Sequence, residues 1–186
     1  MREFVGIDLS RQNVPDATTL LKFRRLLETH ELGAKILAEV NAHLTERGLL
    51  MRQGTVVDAT IIAAPSSTKN DKGERDPEMH QTQKGNEWHF GMKMHTGVDA
   101  DSGLVHSVAC TAANESDIAN AHKLLHGQET AVNADSGYTG LHKREEILRA
   151  QREGQLQAAI KWNIAMKPGT LRGMPTQGHQ AVVVVS

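Results

Sequence analysis

The chain is poor in aromatic residues, holds one cysteine and has no surplus of either charge. Aromatics make up 3% of its 186 residues, so any core must be built mainly from aliphatic side chains. Cys110, the lone cysteine, excludes an internal disulfide framework and fits a reducing cytoplasm. The formal net charge is -1, from 21 basic and 22 acidic residues. Nucleic-acid binders usually carry a basic excess, so bulk composition alone does not point to DNA. The longest unbroken apolar run, residues 181–185, is far too short to span a bilayer. The opening residues Met1-Arg-Glu-Phe-Val-Gly6 lack the apolar stretch and small-residue cleavage site of a signal peptide.

What is present suits a globular protein: 39% hydrophobic and 23% charged residues, in a chain long enough for one domain with a small appendage. Residues 15–48 read as two helices. Pro15-Asp16 is a start signal with Asp16 as N-cap, and Leu20, Phe23 and Leu27 follow at helical spacing. Leu32, Ile36, Val40 and Leu44 recur every four residues, and Gly48 ends the second helix.

Asp58 lies inside the β-rich run Thr55-Val-Val-Asp-Ala-Thr-Ile-Ile62. An ionised carboxylate in a buried strand costs several kcal/mol unless something pairs with it. A second run, Ala131-Val-Asn-Ala-Asp135, repeats the pattern and leads into Ser136-Gly-Tyr-Thr-Gly140. Two such strands can bring two carboxylates to one sheet face, and oxygen-only pairs suit a hard cation such as Mg²⁺. The plainer alternative, that each Asp caps a turn or satisfies a backbone amide, stays open for both.

Between these runs, residues 64–86 are polar and read as a loop too long for a mere connector. The alternation from Trp88 to Thr96 predicts a strand with Trp88, Phe90, Met92 and Met94 facing the core and His89, Lys93 and His95 facing solvent or DNA. Asp99-Ala-Asp-Ser-Gly103 predicts a turn and residues 104–110 the returning strand. Helices over 116–125 and 141–153 and a last strand over 156–160 complete the order αα-β-(loop)-ββ-α-β-α-β, a mixed sheet covered by helices.

Other groupings carry less. His122 and His126 stand one helical turn apart, but Lys123 occupies the place a zinc protease needs for Glu. The Asp99–Gly103 segment begins like a calcium loop but lacks its closing Glu. Lys69, Lys72, Arg75 and Lys84 could touch phosphate, although Asp71, Glu74, Asp76 and Glu78 are interleaved with them, which also fits a solvated mixed-charge loop.

Three motifs occur in order: Pro-Asp-Ala-Thr-Thr-Leu-Leu-Lys-Phe-Arg-Arg at 15–25, Val-Val-Asp-Ala-Thr at 56–60, and Asn-Ala-Asp-Ser-Gly-Tyr-Thr-Gly at 133–140. Together they resemble the bacterial insertion-sequence DDE transposases of family five, over roughly residues 1–168. The resemblance implies a ribonuclease H-like α/β fold with strand order 3-2-1-4-5. It divides the chain into a helical segment (1–50) with DNA-end contacts through Lys22, Arg24 and Arg25, an incomplete catalytic domain (51–168) and an aberrant tail (169–186).

The chemistry it implies is phosphodiester cleavage followed by strand transfer, with three acidic residues holding two Mg²⁺ ions, one activating water and the other stabilising the leaving oxygen. Asp58 matches the first acid and Asp135 the second. The third, a Glu on the helix after the fifth strand, has no counterpart, because no Asp or Glu follows Glu153. The resemblance thus implies a C-terminally truncated transposase that is inactive alone. Its partners would be terminal inverted repeats and target DNA, with self-association left open, in the bacterial cytoplasm at the nucleoid and away from membranes. The competing readings are a non-catalytic DNA-binding or regulatory fragment, and a chain that folds poorly.

Overall fold

In the computed structural model the described residues are 14–69, 73–167 and 182–185. They fall in two units, residues 1–46 and 47–186. The first holds helices α1 (Ala17–Thr29) and α2 (Leu32–Glu46). Asp16 caps α1 as expected, its carboxylate accepting the Thr19 N–H at 2.7 Å. Hydrogen bonding from the Thr19 side chain, and then from its backbone N–H, holds the Asp16 pKa below the usual carboxylate value. Leu20, Leu21, Phe23 and Leu26 of α1 are exposed.

The second unit is a mixed sheet with helices. Its elements are β1 (Gly54–Ala63), β2 (His80–Lys84), β3 (Glu87–Asp99), β4 (Val105–Ala112), α3 (Asp117–Asn120), β5 (Ala131–Ala134), α4 (Glu145–Arg152), β6 (Lys161–Ala165) and β7 (Val182–Val185), with single 3-10 turns at Ala121–Leu124, Ser136–Tyr138 and Leu141–Lys143. β-Branched residues fill β1, where stiff side chains suit a pleated surface. β3 pairs antiparallel with β1, β2 and β4; β5 pairs parallel with β1 and with β6; β7 closes antiparallel on β6.

One sheet face is packed. Val57, Val132, Trp162 and Ile164 alternate inward and meet Ala121, Leu124, Tyr138, Leu141 and Ile147 from the helices and turns. Burying a large apolar side chain contributes about 1.5–3 kcal/mol, so these residues hold α3, α4 and the turns against the sheet. On the other face Val56, Ile62 and Val108 remain exposed and Met92 and Met94 half-buried.

β3 turns toward the core the side expected to face solvent or DNA. Its inward positions are Gly91, His95, Gly97 and Asp99, all buried, whereas Trp88 is exposed and Phe90, Met92 and Met94 are half-buried. Lys93, expected to face solvent or DNA, pairs with Asp117 at 2.8 Å and donates to the Glu115 carbonyl. The physical reason is close packing on that side: a Cβ on Gly97 would lie 2.7 Å from the Leu124 carbonyl oxygen. Two smaller differences concern strands. β2 forms within the expected loop, and β6 lies at Lys161–Ala165, not over 156–160.

Candidate active site

Asp58 sits in mid-β1 and Asp135 immediately after β5. The parallel ladder between these strands runs Gly54↔Ala131 to Val57↔Ala134, so the next residues along it are the two aspartates. Both lie on the exposed side of the pleat and line one cavity of about 400 Å³, with Val56, Asn133, Asn163 and Ala165. The juxtaposition expected from the two isolated acids is therefore present.

Each aspartate also makes the local bond of the plainer alternative. Asp58 Oδ1 accepts the Ala59 N–H at 2.7 Å, and Asp135 Oδ1 accepts the Gly137 N–H at 2.9 Å as the cap of the turn behind it. The two readings are compatible, since the backbone fixes one oxygen of each carboxylate and leaves Oδ2 without a hydrogen-bond partner among the described residues.

A second layer lies beside them. Asn133 and Asn163 face each other across β5 and β6, and the Asn163 Nδ2 donates to Asn133 Oδ1 at 2.9 Å. Tyr138 fills the core just behind Asp135, its hydroxyl buried with no hydrogen-bond partner among the described residues. Burial, followed by the charges of Asp117, Asp58 and Asp135, raises its pKa, so it stays a phenol. Sequence reasoning missed all three residues. Asn133 and Tyr138 stand two before and three after Asp135, but only strand register shows that they flank it.

The remaining acids stand elsewhere. Glu145 pairs with Arg152, and Glu146 takes two bonds from Arg144, at 2.9 and 3.2 Å. Glu146 and Glu153 line a separate cavity with His122 and Arg149. Among the described residues no group of three or more His, Cys, Asp or Glu side chains is placed to hold a metal ion. Of the basic candidates, Lys22, Arg24 and Arg25 are exposed on α1, Lys69 is exposed, Lys84 is exposed on β2, and Arg75 lies over the Phe90 ring. Lys72 and the start of the tail, 169–181, lie outside the described residues.

Two carboxylates on neighbouring parallel strands, one in mid-β1 and one just past β5, thus open to solvent on one face of a mixed α/β sheet. Residues 50–181 match the family described as the transposase DDE domain. The chain belongs to that family of transposases, whose members generally use a divalent metal. No solved structure matches it. Among the described residues, no helix is long and apolar enough to cross a membrane.

Proposed function

We propose that residues 47–167 form the catalytic core of an insertion-sequence transposase of family five, with a ribonuclease H-like fold. The support for the fold is the pairing order β4-β3-β1-β5-β6, antiparallel up to β1 and parallel after it, which matches the order 3-2-1-4-5. The observation that carries the function is the β1–β5 register, which brings Asp58 and Asp135 to one cavity.

The donor set fits Mg²⁺, a hard cation held by one or two carboxylates that leaves positions for water and phosphate oxygens. When bound, it would supply charge neutralisation on the entering and departing oxygens of an in-line displacement. Asp58 and Asp135 would hold it through their unpartnered Oδ2 atoms. Their Oδ1 bonds to Ala59 and Gly137 restrict rotation of both carboxylates, so little order is lost on binding. Asn163 fixes the amide of Asn133, whose Nδ2 remains to donate to a phosphate oxygen.

A second reading is a DNA-binding or regulatory fragment, favoured by the lack of a third carboxylate near the pair among the described residues. The 186-residue chain carries no acid after Glu153, and misplacement of reacting groups by about 1 Å can cost 100-fold in rate. One experiment separates the two. Mn²⁺ titrated calorimetrically into the purified chain should bind at a site that Asp58→Asn or Asp135→Asn abolishes, with little or no cutting of the transposon ends. Appending a helix that bears a Glu should raise cutting. Absence of Mn²⁺ binding would remove the catalytic reading. Robust cutting by the unmodified chain would show that Glu145, Glu146 or Glu153 reaches the site in solution.

A further inference from the structure

β3 runs on past the body of the sheet. Its residues 87–90 lie beyond the last β1 pair, Ala63↔Gly91, and the last β4 pair, Met92↔Ala112. Over that stretch its ladder partner is β2, in the register Gln81↔Phe90, Thr82↔His89, Gln83↔Trp88 and Lys84↔Glu87. Gly85 and Asn86 close the hairpin, Gly85 with φ of 63° as a tight two-residue loop requires. A two-stranded ribbon therefore projects from the domain.

The two sides of this ribbon differ. Strand alternation places Thr82, Lys84, Glu87 and His89 on one side, where Glu87 stands opposite Lys84 and lies 4.0 Å from His89. The other side carries Gln81, Gln83, Trp88 and Phe90, with the Arg75 guanidinium 5.5 Å from the Phe90 ring centroid. The four strand residues of this side carry no charge; Arg75 and Asp76 both line the cavity beside Gln81 and Phe90, so the carboxylate-free part of the side is its outer end, at Gln83 and Trp88. Both glutamines are exposed, and Trp88 is 67% exposed, the most open of the large hydrophobic residues described.

The position of this side is set by register. Trp88 and Phe90 share the pleat side of Thr96, which is paired with Asp58. Trp88 stands eight residues along β3 from Thr96, about 26 Å at 3.3 Å per residue.

We propose that this ribbon is a DNA-contacting arm: duplex held at the carboxylate pair continues along β3, and the Gln81–Gln83–Trp88 side enters its major groove about eight base pairs away, at 3.4 Å per base pair. The groove is wide enough for a two-stranded ribbon, and glutamine amides can pair with adenine edges there. Trp88 supplies an apolar contact to thymine methyl groups or a stacking surface, and Arg75 a phosphate contact. The inference rests on the transposase reading of the site.

Tryptophan fluorescence reads the arm directly. The chain has two tryptophans, and Trp162 is buried at 4% exposure, so iodide quenching reports Trp88. With a 30-base-pair duplex of arbitrary sequence at low salt as probe, saturating DNA should shield most of the quenchable emission. Trp88→Ala combined with Gln83→Ala should weaken duplex binding by about fivefold or more, and Trp88→Phe should keep most of it. These side chains are exposed, so far-UV circular dichroism should show an unchanged fold. Duplex binding with Trp88 still open to iodide and affinity unchanged in the double variant would overturn the arm while leaving the transposase reading standing. Shielding of Trp88 that rises with protein concentration without DNA would assign the ribbon to a second copy of the chain and overturn it as well. No duplex binding at any ionic strength would remove both, and Mn²⁺ binding lost in Asp58→Asn tests the carboxylate pair separately.

Discussion

His106 and His126 meet edge to face, their ring centroids 4.9 Å apart and their planes at 77°. They belong to a buried polar network that ties β1 to β4 and to the loop before β5. Thr55 Oγ1 lies 3.2 Å from His106 Nε2 and donates to Glu129 Oε1 at 3.4 Å. Glu129, fully buried, accepts the His126 and Gly127 N–H groups at 2.6 and 2.8 Å. His106 Nδ1 is 2.8 Å from Ser107 Oγ. His126 Nε2 makes no hydrogen bond among the described residues and approaches Glu129 Oε1 at 3.4 Å; the bonds that are made fix one arrangement of the strands.

The network makes folding sensitive to acid. Burial pushes the His106 pKa down to about 4, with the neighbouring His126 and Arg52 lowering it and Glu129 and Asp99 opposing. Burial also lowers His126. The unfolded chain takes up protons on both rings below about 6.5, and the folded chain resists this. Stability should therefore be full above pH 6.5 and fall as pH drops toward 4, by about 3 kcal/mol for His106 at about 1.4 kcal/mol per pKa unit. Urea denaturation from pH 7 to 4 measures this, and His106→Gln should flatten the profile. A flat wild-type profile would show that the rings protonate without opening the fold.

Asp99 is the second buried anchor. Its Oδ2 accepts the Met51 and Arg52 N–H groups at 2.6 and 2.9 Å, and its Oδ1 those of Asp101 and Ser102 at 2.9 and 3.1 Å. Burial alone would raise its pKa, but the four N–H groups win and hold it at about 2. Asp99→Ala should cost about 3 kcal/mol or more, since each orphaned buried N–H costs about 1–3 kcal/mol. Asp99→Asn, which keeps one acceptor oxygen, should cost less. Equal midpoints for the two variants in thermal denaturation would contradict this.

Gly91 marks where β3 leaves the body of the sheet. It adopts a φ of 150°, and a Cβ there would come within 2.1 Å of the Ile62 carbonyl oxygen. Gly91→Ala should destabilise the domain by several kcal/mol, because the obstacle is backbone and not a movable side chain. A urea midpoint within error of wild type would show that β1 yields at Ile62.

Asp58 and Asp135 drew notice as isolated acids on two apolar runs, although the expectation of a buried carboxylate fails because both face the open side of the sheet, and Asp16 was legible because N-caps are local chemistry. The alternation of β3 was legible too, but not its direction. A period of two says which residues share a side, while the packing of α3 and the turn at Ala121–Leu124 decides which side is inside. β2 was hidden because His80-Gln-Thr-Gln-Lys84 has no apolar pattern and depends on pairing with β3. The Asn133–Asn163 bond spans 30 residues of chain, and no local signal announces it.

Tyr138 is the only tyrosine in the chain, which makes its buried hydroxyl directly observable. Burial, with the charges of Asp117, Asp58 and Asp135 adding to it, raises its pKa above the ordinary 10. Absorbance at 295 nm should therefore show no phenolate in the folded protein at pH 11. The unfolded chain would ionise from about pH 10 and gain relative to the folded state, so stability should fall as pH rises past 10. At neutral pH the hydroxyl is buried without a partner, and such a group costs about 1–3 kcal/mol. Tyr138→Phe should accordingly stabilise the domain by about 1 kcal/mol and abolish the alkaline loss of stability. A variant less stable than wild type would mean that the hydroxyl finds a partner in solution, and early phenolate absorbance would mean that water reaches the buried ring.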